Sequence, residues 1–344
     1  MKLLKLFWEQ RKDGVYGIAG MHSCDLVGPK QNGADFFAVC NDIVVLNGGP
    51  PIGGTIQSVL GESIVPVVAN VRGEHTLRCV GTGFFVSCTG LLITAAHVIT
   101  DPIERRYGNV AEQPDLTLQG RDLNFGVLVP NNPIFEVPGY SFFHFHWSLF
   151  LAERRDNPLP IAGLDLKLTS DIAICKVPPR RGNTPHQPLT IVQSGIRGTG
   201  ARIGSVANAV GYAGMADFEI EMNEFGQILG HRKFILHGSR GTIIEQFPDN
   251  LQEKAVPTPG PCFSFGAKIP GGMSGGPIFD REGIYVHGVI SKGWEDETGP
   301  TNFSFGSSLL PSMHLPISRM NGVTLSDLQE KRNEGMGVVR APDL

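Results

Sequence analysis

The stretch "IPGGMSGGPIFD", residues 269–280, decides the fold class. Ser274 has Gly271 and Gly272 just ahead of Met273, and Gly275, Gly276 and Pro277 behind it. Gly275, Gly276 and Pro277 follow the serine directly, and "GPIFD" (276–280) reads as a short strand. The hydroxyl therefore sits in a tight turn between extended segments. Side chains have been removed on both sides of one potential nucleophile. Bare glycine backbone can turn sharply, present two N–H groups to one point and let a substrate carbonyl approach closely.

Outward from this turn the pattern is strand after strand. "SIVPVVANV" (63–71), "TLRCVGTGFFVS" (76–87), "GLLITAAHVI" (90–99), "DIAICKV" (171–177), "SVANAVGYA" (205–213), "RKFILHGS" (232–239) and "GIYVHGVIS" (283–291) are short apolar or β-branched runs separated by Gly-rich or charged turns. With 44 glycines and 25 prolines among 344 residues, turns are dense enough for an all-β chain. The expected helix is C-terminal, in "TLSDLQEKRNEG" (324–335), capped by Ser326 and ended by Gly335.

A serine hydroxyl becomes nucleophilic when a base takes its proton. Among ten histidines, His97 stands out: the run "LLITAAHVI" leads into it through Ala95 and Ala96, small enough for another segment to close over the ring. A carboxylate must then hold the imidazole tautomer. Asp171, at the head of the apolar run "DIAICKV", is the first candidate, and Asp165 in "GLDLKL" is the weaker one.

Taken in order, "TAAHV", "SDIAICKV" and "GGMSGGP" resemble the trypsin/chymotrypsin-like serine peptidases over roughly 60–320. The opening "GTGFFVSCTGLLITAAHV" (81–98) is similar to that of bacterial trypsin-like domains and high-temperature-requirement peptidases. The resemblance implies two six-stranded antiparallel β-barrels with the active site between them. It implies Ser274 as nucleophile, His97 as general base and then acid, and Asp171 as the residue orienting His97. The amides of Gly272 and Ser274 would form the oxyanion hole. It further implies an endopeptidase working through an acyl-enzyme, with no cofactor and no metal expected.

The resemblance also bears on specificity. The position six before the nucleophile, which the resemblance places at the base of the primary pocket, is Lys268, which would disfavour a basic P1 residue and suit an acidic one; the alternative is a different loop length, with Lys268 facing solvent. "GVISKG" (288–293) resembles the strand that pairs with substrate, so Ser291, Lys292 and Gly293 are expected to bind an extended peptide. "FSFGSSLLP" (303–311) is expected to supply the far pocket wall, through Gly306. Two departures stand out. Met273 replaces the aspartate that pairs with a cleavage-released N-terminus in secreted digestive members, so activation by that ion pair is not expected. Val98 replaces their disulfide-bonded cysteine.

Two rivals are weighed. Gly272–Gly276 also matches G-x-S-x-G, the nucleophile elbow of α/β-hydrolases, but that fold needs a helix after the serine and the order serine, acid, histidine. A catalytically silent peptide-binding module on the same scaffold is the second rival, because fold does not guarantee activity.

The expected organisation is an N-terminal extension of unassigned role (1–58), a first barrel (59–185) with an insertion at 101–162, a second barrel (186–320), and a C-terminal helix and tail (321–344). "FFHFHW" (142–147) places His144 and His146 on one strand face; without a third ligand nearby, aromatic cover for a barrel edge is favoured over a metal site. The segment 245–262 reads as an exposed loop. The formal charge is −4 with no Lys/Arg block, so neither nucleic acid nor membrane is expected as a partner; a regulatory partner is left open. The run "MKLLKLFWEQRKDG" is too short in apolar residues for a secretory core, and the six cysteines read as reduced thiols in a cytoplasmic protein.

Overall fold

The computed structural model describes residues 35–40, 59–107, 115–116, 122–130, 140–155, 165–180, 185–191, 201–214, 219–221, 235–248, 256, 258–281, 283, 285–296, 299–314, 316–317 and 320–328. Two antiparallel sheets account for its strands. The first sheet contains β2 (Ile64–Val71), β3 (Thr76–Phe85), β4 (Leu91–Thr94), β5 (Asp115–Leu116), β6 (Leu123–Pro130), β7 (Tyr140–His144), β8 (Trp147–Arg155) and β9 (Asp165–Lys176), in the order β5-β8-β9-β4-β3-β2-β6-β7. A short strand β11 (Glu219–Glu221) pairs with β3.

The second sheet contains β1 (Asp35–Cys40), β10 (Val206–Tyr212), β12 (Ile235–Phe247), β13 (Cys262–Phe265), β14 (Pro277–Phe279), β15 (Val286–Asp296) and β16 (Gly299–Ser308). Its path β12-β10-β14-β15-β16-β13 returns to β12, so these six strands close a barrel, and β1 is added along β12. Apart from β1, the 1–58 extension lies outside the described residues.

The expectation of two closed six-stranded barrels is thus met by one half of the molecule. The first sheet is a half-barrel, because β7 does not pair with β8. The link between them spans the gap instead: the Phe145 amide donates to the Phe125 carbonyl (2.8 Å) and the His146 amide to the Lys176 carbonyl (2.7 Å). Residues 101–162 do not simply interrupt the array. They supply β6, β7 and β8, whose buried faces include Phe125, Val127, Leu128 and Trp147. His144 ends β7 and His146 lies in the link, so the two histidines do not share a strand face.

The helices also differ from expectation. Between β4 and β5 runs a twelve-residue helix, here α2 (Ala96–Tyr107), preceded in the chain by the short α1 (Val59–Ser63). Val98, Ile99 and Ile103 give α2 its buried stripe. Near the C-terminus a helical turn covers 325–328, and Thr324 rather than Ser326 caps it. The Thr324 amide and hydroxyl both donate to Asp327 Oδ2 (2.8 Å each), and the Asp327 amide donates back to Thr324 Oγ1 (3.1 Å). Ser326 is buried instead, its amide bonded to the Met313 carbonyl; Gly335 lies outside the described residues.

Within 245–262, Val256 and Thr258 are buried, so this part of the segment packs inward rather than forming an exposed loop. Among the described residues, Cys79, Cys88, Cys175 and Cys262 form no disulfide, and burial pushes Cys79 and Cys175 up to about 12. No helix among the described residues is long and apolar enough to cross a membrane.

The two halves are joined through Thr82 of β3, which is fully buried. Its amide donates to the Ser274 carbonyl (2.8 Å) and its hydroxyl donates to the Gly272 carbonyl (2.9 Å) while accepting from the Tyr212 amide (2.9 Å). Its carbonyl accepts from Thr94 Oγ1 (2.6 Å). Tyr212, from β10, donates its phenol to the Ile64 carbonyl of β2 (3.1 Å). Every polar group of Thr82 is thereby satisfied in a buried setting, and three of these four partners belong to the other half of the molecule.

Candidate active site

His97 is the second residue of α2, where the end of β4 turns into the helix. Asp171 is not at a strand start: β9 begins at Asp165, in register with Arg155 of β8, and runs through Asp171. The β4–β9 register pairs Thr94 with Ala173, which puts the residues after Thr94 beside Asp171. Asp171 then holds His97 at two points. Its Oδ1 accepts from the His97 amide (2.9 Å), and its Oδ2 lies 2.7 Å from His97 Nδ1. The first bond fixes the carboxylate against the helix start; the second puts the ring proton on Nδ1 and leaves Nε2 as the basic nitrogen.

The electrostatics of this pair oppose burial. Burial works against a charged His97, but the Asp171 charge and hydrogen bond, aided by Asp101, outweigh it and the opposing Lys292 ammonium, and His97 titrates above its ordinary value. Burial likewise works against an ionised Asp171, yet the charge and hydrogen bond of His97, the Ser291 hydroxyl and the His97 amide hold its carboxyl below the usual range. The Asp171 side chain is 3% exposed and that of His97 16%, so the ring keeps an open side.

Ser274 reaches this centre from the other sheet. Gly275, at φ +88°, lies so close to β3 and β4 that a Cβ would sit 2.1 Å from the Thr82 carbonyl oxygen, 2.1 Å from Thr94 Oγ1 and 2.9 Å from the Ala95 amide nitrogen. Glycine is required there both for its backbone angle and for this approach. The contact sets the serine turn two residues from His97 in the chain. Gly272 takes φ +95°, and neither its amide nor that of Ser274 has an acceptor among the described residues. Met273 is fully buried in the second barrel's core.

The hydroxyl of Ser274 donates to the Ser291 carbonyl (2.9 Å), not to His97. Ser291, foreseen as a peptide-binding backbone position, has a second role through its side chain: its hydroxyl donates to Asp171 Oδ2. It is fully buried, whereas Lys292 and Gly293 beside it are exposed. Gly293 faces the Ile269 carbonyl, 3.4 Å from where a Cβ would stand, so 266–270 and 291–293 form facing walls.

Lys268 lies on that first wall, half-buried, with its carbonyl accepting from Ser239 Oγ (2.6 Å). Gly306 does not fit the pocket-wall expectation. A Cβ there would meet Ile278 Cδ1 at 2.4 Å and Phe263 Cζ at 2.9 Å, so its side-chain direction faces the barrel core. Ser304, two residues earlier, donates to the Ala267 carbonyl (2.9 Å) and ties β16 to the first wall. A groove of about 660 Å³, lined in part by His97, opens between α2 and the β2–β3 turn, edged by Arg78, Asp101 and Arg105. Among the described residues no group of three His, Cys, Asp or Glu side chains is placed to hold a metal ion.

No curated protein matches the chain. Similar solved structures include Deg5 (14% identity, 73% of this chain and 85% of that one, TM-score 0.39). The HtrA-type protease AlgW with decapeptide is another (13%, 74% and 65%, TM-score 0.39). A third is the MamO protease domain from Magnetospirillum magneticum in its apo form (15%, 74% and 95%, TM-score 0.40). The sequence model of the trypsin-like peptidase domain matches residues 81–286, a span that opens at the glycine before Thr82 and takes in His97, Asp171 and Ser274. This chain belongs to the trypsin-like peptidase family.

Proposed function

We propose that the protein is a serine endopeptidase with Ser274 as nucleophile, His97 as general base and then acid, and Asp171 as the residue that orients His97. The observation that carries this reading is the two-point grip of Asp171 on His97, which leaves Nε2 as the free basic nitrogen on the ring's open side. Rotation of the Ser274 side chain away from the Ser291 carbonyl brings Oγ toward that nitrogen. Oγ then bonds to the scissile carbonyl carbon as its proton passes to Nε2. The carbonyl oxygen becomes negative opposite the Gly272 and Ser274 amides, whose freedom from internal acceptors suits an oxyanion hole. His97 returns the proton to the amine as the C–N bond breaks, and water repeats the sequence to release the acyl group.

An extended substrate adds as a strand along Ser291, Lys292 and Gly293, the last two of which are exposed. Lys268 and Lys292 favour acidic side chains near the scissile bond. A silent peptide-binding module is the second reading, and the Ser274–Ser291 hydrogen bond is the observation in its favour.

A fluorophosphonate probe separates the two. Covalent labelling of the wild type, abolished by Ser274→Ala, is the expected result. A wild type that stays unlabelled across pH 6–9 leaves the binding module. Cleavage of a peptide library by the wild type and Lys268→Asp then tests the acidic preference, which should weaken in the variant.

A further inference from the structure

The hydrogen-bond chain behind His97 does not stop at Asp171. Ser291 Oγ, whose proton is committed to Asp171 Oδ2, lies 2.9 Å from Thr258 Oγ1. A hydroxyl carries one proton, so at this second contact Thr258 is the donor and Ser291 the acceptor. Thr258 is 3% exposed, Ser291 0% and Asp171 2%, so no solvent competes for these bonds. The segment is anchored by the Cys262 thiol, which donates to the Thr258 carbonyl at 3.7 Å.

We propose that Thr258 is a positioning residue for the His97–Asp171 pair, acting through Ser291. A hydroxyl that accepts one hydrogen bond is a stronger donor in the next. Thr258 also leaves the Ser291 proton one acceptor in the plane of the chain, the carboxylate. Without the Thr258 hydroxyl, Ser291 can turn, its bond to Asp171 weakens, and the carboxylate attracts the His97 proton more strongly. The charged groups facing His97 are Asp171 from β9, Asp101 from its own helix and Lys292 from β15; Asp171 faces His97, Ser291 and the Cys262 thiol. Of these, only Asp171 is linked to Thr258 by hydroxyls. The inference rests on the serine-peptidase reading above.

The test measures fluorophosphonate labelling of the full chain from pH 5.5 to 9. Thr258→Val removes the hydroxyl at nearly constant volume. Labelling at pH 7 should fall about fivefold, the weight of one neutral hydrogen bond, and the acid limb should move to higher pH. Thr258→Ser should recover most of the rate. In a Ser291→Ala background, Thr258→Val should add no further loss. A Thr258→Val protein with wild-type rate and midpoint overturns the proposal, as does an undiminished effect in the Ser291→Ala background. Thr258→Ala is run beside it; loss of cooperative thermal unfolding in both variants assigns Thr258 a purely structural role and also overturns it. A wild type that takes no label fails the serine-peptidase reading itself, a different outcome from any of these.

Discussion

Replacing Asp171 by asparagine removes one charge and almost no volume, and the geometry dictates how the amide must sit. The His97 amide donates to Oδ1, so the asparagine carbonyl has to occupy that position. Its NH2 then stands where Oδ2 was, facing both His97 Nδ1 and Ser291 Oγ. Nδ1 is forced to accept, which moves the ring proton to Nε2, the nitrogen that receives the Ser274 proton in the proposed mechanism. Ser291 loses its acceptor at the same time. Flipping the amide restores Nδ1 as donor but sets NH2 against the His97 N–H in a buried site. Either arrangement disables the base, and the wrong-tautomer effect is worth about 10⁴-fold in turnover, or about 5 kcal/mol of barrier at about 1.36 kcal/mol per decade. The assay is kcat/KM on a fluorogenic peptide, with thermal unfolding as the control for folding. A folded Asp171→Asn protein within tenfold of the wild type would refute the tautomer argument and return attention to Asp165.

Three further outcomes follow from the same geometry. In the proposed mechanism His97 acts neutral, and its titration is raised, so kcat/KM should rise with pH to a midpoint above 6.5, and a midpoint below 6.5 counts against the Asp171 interaction. His287 is buried with no partner for either ring nitrogen among the described residues, and burial lowers its titration to about 4. Its folded value lies below its unfolded one, so stability is intact above pH 6.5 and is lost as pH falls toward 4, by about 3 kcal/mol in all; His287→Leu should flatten that loss in thermal unfolding at pH 4.5 against 7.5, and an unchanged difference speaks against it. Gly275→Ala combines a left-handed backbone, costing about 1–2 kcal/mol, with contacts of 2.1 Å to the Thr82 carbonyl and Thr94 Oγ1, so it should lower the thermal midpoint and abolish probe labelling together; a labelled, stable variant would show that this approach is not required.

Much of the site was legible because its demands are local. The glycines around Ser274 and the alanines before His97 are the marks of backbone brought close to backbone, and they survive in the structure as the Gly275 approach and the buried Ala95 and Ala96. The helix carrying His97 was misread as strand. Val98, Ile99 and Thr100 are β-branched, and Pro102 hides the helical spacing of Ile99 and Ile103. The strands within 101–162 were missed for a related reason: Gly126 and Pro130 punctuate β6, and β8 ends in charged residues, so neither shows clean alternation. The links from Thr258 through Ser291 to Asp171 join residues 33 and 120 positions apart, and no periodicity in a chain reports a contact of that kind. Gly306 was assigned by likeness of motif, which locates a strand but not which of its faces looks outward.

Thr82 sets a condition on how this molecule can come apart. With the second barrel melted, the amide and hydroxyl of a core threonine would be stripped of companions inside the surviving half; with the first half melted, the main-chain groups of the Ser274 turn that it holds would be stripped instead. Such a half-melted form is penalised beyond its lost apolar contacts, so heat or denaturant should act on both halves as one calorimetric unit, and the grouping of His97, Asp171 and Ser274 should vanish in the same transition as the bulk secondary structure.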